Sequence, residues 1–156
     1  MKKTRAKVKP AARKKSAAKA ARPASTVALK GTVAIGKPPK GELRHVPWNS
    51  IAVEMLTPLL GRQFVAGQNV MLARMVLKKG CIVPEHSHPN EQVSYVLEGA
   101  LKFWIDGQVI VVNAGEVLTI PPNMPHRVEA FVDTVGLDVF SPPRADWMSG
   151  TDAYLR

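Results

Sequence analysis

Gly80-Cys81-Ile82-Val83-Pro84-Glu85-His86-Ser87-His88-Pro89-Asn90-Glu91-Gln92-Val93-Ser94-Tyr95-Val96-Leu97-Glu98-Gly99 is the stretch on which the reading of this chain turns. Residues two apart in an extended segment project from the same face, so His86 and His88 point the same way. Gln92 has the same parity and adds an amide oxygen, provided Pro89-Asn90 does not shift the register. A second stretch, Gly115-Glu116-Val117-Leu118-Thr119-Ile120-Pro121-Pro122-Asn123-Met124-Pro125-His126, supplies another imidazole from a distant strand. Together the two stretches hold three of the four histidines in the chain. A lone histidine is more often a surface or hydrogen-bonded residue. His-x-His, a glutamine four residues on and a later proline-flanked histidine point instead to a metal site. Three neutral imidazoles and one oxygen suit a borderline divalent transition metal such as Zn, Ni, Fe, Mn or Co.

Outward from these stretches, short β-branched and apolar runs alternate with Gly, Pro, Asn and Asp. The runs are 51–55, 69–76, 92–97, 100–105, 109–112, 116–120, 126–131 and 134–140. Such spacing predicts an all-β sandwich or barrel with little helix. Asp106-Gly107, between two apolar runs, predicts a two-residue hairpin of type I′, which needs φ > 0 at both positions. The prolines at 121, 122 and 125 place a loop immediately before His126. Tyr95 and Trp104 read as barrel filling, Cys81 as a buried inert thiol, and His45 as structural.

The chain has 156 residues and a formal net charge of +10. That charge is uneven: residues 1–40 carry 13 Lys or Arg and no acid, so the remaining 9 Lys or Arg and 12 acids give residues 41–156 a charge of −3. Residues 1–40, rich in Lys, Arg and Ala, are expected to form a disordered basic tail, because they offer too little apolar surface to offset the entropy of ordering. Residues 41–156 are expected to form one domain. Counterion release would give the tail non-specific contact with nucleic acid, although the residues favour a merely solubilising extension. No apolar stretch of a secretory signal follows the basic residues, and no stretch reads as a membrane span. A single cysteine excludes an intrachain disulfide, so a cytoplasmic location is expected.

The two histidine-bearing stretches resemble the two motifs of the cupin superfamily, single jelly-roll β-barrels. Gly80, His86, His88, Gln92 and Gly99 match the first motif, and Gly115, Pro121 and His126 the second. Gln92 stands where Glu is usual, and Asn123 where Gly is usual, although Asn tolerates a left-handed turn. The run from Pro84 to Gln92, Tyr95–Gly99 and the segment Leu137-Asp138-Val139-Phe140-Ser141-Pro142-Pro143-Arg144-Ala145-Asp146-Trp147 are similar to the small cupins of the pectin-degradation KdgF type. That resemblance implies His86, His88, Gln92 and His126 as metal ligands and Asp138, Phe140 and Arg144 as catalytic residues. It also implies ring opening of a 4,5-unsaturated uronate, a small anionic sugar, and by analogy a homodimer.

The residues alone leave alternatives open. In 134–140 the odd positions Val135, Leu137 and Val139 are apolar, which on pattern alone puts them in the core and Asp138 outside. Arg144 reads either as a bidentate clamp for a substrate carboxylate or as a clasp for the segment that follows it. A different metal cupin, such as an Fe(II) oxygenase, also fits three histidines. So does a non-catalytic binding module whose basic tail grips DNA.

Overall fold

The computed structural model describes Ala34–Ile35, Lys40 and residues 42–156. Most of the stretch expected to be a disordered tail lies outside the described residues. Within it, Ala34–Ile35 forms a short strand, β1, parallel to Phe64–Val65.

The strands that follow are β2 (Glu54–Thr57), β3 (Leu60–Ala66), β4 (Met71–Leu77), β5 (Cys81–His86), β6 (Glu91–Glu98), β7 (Ala100–Ile105), β8 (Gln108–Asn113), β9 (Val117–Ile120), β10 (His126–Ala130) and β11 (Thr134–Ser141). They form two sheets. One runs β1-β3-β4-β11-β6-β9 with β2 on β3, and the other runs β5-β10-β7-β8. Apart from β1, every strand pairing is antiparallel. Among the described residues, helix is confined to a single α-helix, α1 (Ala145–Ser149), and two three-residue 3-10 turns. The expectation of an all-β barrel therefore holds.

The core lies between the inner faces of the two sheets. β4 alternates cleanly, with Met71, Ala73, Met75 and Leu77 buried, as expected of a strand with one face on a core. Leu101, Phe103 and Ile105 of β7 meet them from the other sheet. The predicted hairpin is present: Asp106 and Gly107 have φ of 50° and 67°, and Ile105 pairs with Gln108 across them. Gly99 shows why its motif position is glycine. Its φ is +80°, and an added Cβ would sit 2.3 Å from the Asp133 carbonyl oxygen.

Besides β1, two strands were not predicted. β3 is buried at nearly every position, including Arg62 and Gln63, whose polar ends find distant partners. β5 contains Pro84, which the ladder tolerates because β5 is an edge strand of its sheet. Trp104 and Tyr95 correct a further expectation, since neither fills the barrel. Tyr95 has the exposed parity of β6, and Trp104 lies half-buried with the Lys102 and Arg127 cations 4.8 and 4.6 Å from its ring. Cys81 is buried as expected, whereas His45 is exposed.

Candidate metal centre

A bulge builds the centre. Along β5, Cys81 and Val83 face inward at odd positions, whereas His86 at its end and His88 just beyond it face inward at even ones. The parity changes because the β5–β10 ladder slips: His126 pairs with His86, whereas Val128 pairs with Val83. Three residues of β5 thus span two of β10, and the additional residue turns the chain over. Without it, Val83 and His86 would point to opposite faces. His126 stands directly across the ladder from His86. Asn123 adopts φ of 62°, and its amide donates to the His88 carbonyl at 2.7 Å, tying the proline loop to the first motif.

One nitrogen from each of His86, His88 and His126 lies within 4.8 Å of the others. Each imidazole is oriented by a backbone carbonyl accepting from Nδ1: Pro84 at 2.8 Å, Asn90 at 3.0 Å and Met124 at 2.9 Å. Nδ1 therefore carries the proton in all three, leaving Nε2 lone pairs for an ion. Gln92, on β6 of the other sheet, brings Oε1 to 3.0 Å from His88 Nε2. His88 thus has a carbonyl oxygen at both nitrogens, and a neutral imidazole has a hydrogen for only one of them. A divalent cation at Nε2 resolves this, because the two lone pairs then converge on it. The donor set fits a metal.

A proton would also resolve it, but the surroundings oppose protonation. Burial, followed by the neighbouring histidines and Arg144, lowers His86 to about 4. Burial and then Arg144 lower His88 to about 4, and burial lowers His126 as well. An unfolded histidine titrates near about 6.5. Between those values the unfolded chain takes up protons that the folded chain refuses, so the metal-free fold should lose stability as pH falls through that window. Thermal unfolding in chelator should show the midpoint falling from about pH 6.5 toward 4.5. A flat profile would remove the argument for neutral imidazoles.

The cavity beside the centre is lined by Gln92, Ser94, Asp138, Phe140, Arg144 and Tyr154, among others. Asp138 does not point outward, as the apolar alternation in 134–140 suggested. On β11 it is the even positions that face in, while Val139 is exposed. The inward positions of this strand are Thr134, Gly136, Asp138 and Phe140, so its branched apolar residues are left for the outer face. Burial raises the Asp138 carboxyl above the usual carboxylate range, and hydrogen bonds from Ser94 and Gln92 temper the shift. Phe140 lies edge-on to His88, with ring centres 5.5 Å apart.

Arg144 is buried, and its bidentate partner is Asp146, with Nε and Nη2 at 2.9 and 2.6 Å from the two carboxylate oxygens. Nη2 also donates to the Tyr154 hydroxyl at 2.5 Å. A second bidentate grip on a substrate carboxylate is therefore unavailable to it, and the clasp reading holds alongside its place in the cavity wall. Tyr154 was missed from the sequence. It stacks on His86 at 4.6 Å and 24°, across 68 residues of chain, a pairing that no local pattern announces.

Comparison with known proteins agrees with this architecture. The cupin-domain family model matches residues 73–137, a span that holds His86, His88, Gln92 and His126. The pectin degradation protein KdgF of Dickeya dadantii is 29% identical over 82 residues, covering 51% of this chain and 74% of that protein. The solved KdgF from a Halomonas species aligns with a TM-score of 0.60 at 24% identity, over 64% of this chain and 93% of that one, a likeness of fold. An RmlC-like cupin from Shewanella frigidimarina aligns with a TM-score of 0.59 over 62% of this chain. Because that relative is 31% identical and is covered over 87% of its length, and because the motif residues converge as described, the protein belongs to the cupin superfamily and resembles its KdgF members.

Proposed function

We propose that the protein is a metal-dependent enzyme that opens the ring of a small 4,5-unsaturated uronate, with His86, His88, Gln92 and His126 holding the metal. The observation that carries the reading is the gathering of the three imidazoles and the Gln92 oxygen at a cavity that Asp138, Phe140 and Arg144 also line. When bound, a divalent ion supplies Lewis acidity toward a substrate carboxylate or hydroxyl oxygen. Asp138 is the group that exchanges a proton with the sugar, and its raised pKa keeps the acid form available closer to neutral pH than an ordinary carboxyl would. Phe140 walls the ring on the His88 side. Arg144, with Nε and Nη2 committed to its own chain, contributes positive charge toward an anionic sugar and a single remaining nitrogen.

The test combines elemental analysis with loss of the unsaturated-uronate absorbance, run with and without chelator. Chelator-sensitive turnover supports the proposal. Metal-loaded protein that leaves the uronate unchanged sinks the substrate assignment and makes ferrous iron with oxygen the next condition to try.

A further inference from the structure

Gln92 departs from the glutamate usual in cupin motifs, and the hydrogen bonds behind it give a reason. Ser94 is buried on β6, directly across the ladder from Asp138 on β11. A serine hydroxyl has one hydrogen and two lone pairs. The hydrogen goes to Asp138 Oδ1 at 2.5 Å, so only lone pairs remain for Gln92, whose Nε2 donates to Ser94 Oγ at 2.9 Å. Since the amide is planar, Oε1 is then turned the other way, toward His88 Nε2.

We propose that Ser94 is a positioning residue that fixes the Gln92 amide with its oxygen toward the histidines, and that Asp138 is why an amide rather than a carboxylate occupies position 92. The inference rests on the metal centre proposed above and not on the identity of the substrate. Without Ser94, the amide keeps only its donation toward Asp138, and turning over becomes competitive because its NH₂ then finds an acceptor in the unprotonated His88 Nε2. It would then present hydrogens to an arriving cation. A glutamate at 92 has no hydrogen to give. Ser94 would face two carboxylates with one hydrogen, leaving a buried anion against a lone pair.

The test uses the full chain, with Zn(II) affinity from competition against a chromophoric chelator and the visible spectrum of the Co(II) form. Ser94→Ala should bind Zn(II) about 10–100-fold more weakly, the range for removing an orienting partner of a ligand, and should shift the Co(II) bands. Ser94→Thr, which keeps the hydroxyl, should restore most of the affinity. Wild-type affinity and an unchanged Co(II) spectrum in Ser94→Ala overturn the proposal.

Gln92→Glu tests the second half without touching Ser94. Its added charge should strengthen Zn(II) binding about tenfold more in an Asp138→Asn background than with Asp138 present, a coupling of ordinary size for side chains in one network. Equal gains in the two backgrounds overturn it. A wild-type chain that takes up neither Zn(II) nor Co(II) overturns the metal centre and this inference together.

Discussion

Asp152→Ala should cost about 3–5 kcal/mol of folding stability, the range for removing one partner of a buried ion pair. Asp152 is fully buried, and its carboxylate accepts from Arg62 Nη1 at 2.6 Å. Arg62 is itself only 1% exposed, and its Nη2 pairs with Glu54 at 2.8 Å. Without Asp152, a buried guanidinium whose Nε already lacks a partner keeps only the half-buried Glu54. Replacing both partners with apolar residues of similar volume, as in Arg62→Met with Asp152→Leu, should cost far less than the single change. Urea unfolding of the single and double variants gives the comparison. Similar losses in both would mean that packing, rather than the stranded charge, is responsible.

The same pair matters to the site. Trp147 lies between two cations, with Arg62 4.4 Å and Arg144 4.8 Å from its ring. Asp152 precedes the turn carrying Tyr154 and Leu155, and both of these, with Trp147, line the cavity. The ion pair therefore anchors residues 145–156 against the barrel. Asp152→Ala should also loosen the Tyr154 ring from His86, so its Zn(II) affinity should fall together with its stability.

How far the sequence carried varies from element to element, for reasons visible in the residues. Strands such as β4 and β7, and the Asp106-Gly107 hairpin, were legible because periodicity and turn chemistry act locally. His86, His88 and His126 were legible because their spacing is unusual and the proline loop fixes where His126 begins. β3 was not, since Arg62 and Gln63 look like surface residues until Asp152, Trp48 and Ile51 are brought to them. Asp138 shows a different failure. An alternation rule assumes that the larger apolar residues of a strand face in, and β11 instead turns Thr134, Gly136, Asp138 and Phe140 inward. On pattern alone Val135, Leu137 and Val139 therefore pointed the wrong way, while the family resemblance pointed to Asp138. The bulge in β5 was invisible for a related reason: a parity argument for His86 and His88 holds between those two residues alone, and their relation to Val83 depends on the strand opposite.

Asp138→Asn should reduce turnover of an unsaturated uronate about 10²–10⁴-fold, the contribution of a well-placed general acid or base. The substitution retains a side-chain oxygen to accept the Ser94 hydrogen, so Gln92 keeps its orientation and metal content should match wild type. This separates it from His88→Ala, which removes a ligand and should lose metal and turnover together. The pH profile sharpens the distinction. Burial holds the Asp138 carboxyl above its ordinary value, so the acid form persists to higher pH than in a free aspartate. If that form delivers the proton, wild-type kcat should fall as pH rises through the raised value, and the residual activity of Asp138→Asn should lack this limb. Metal-loaded Asp138→Asn working at the wild-type rate would show that the proton moves by another route, and would leave Asp138 with only its part in orienting Ser94 and Gln92.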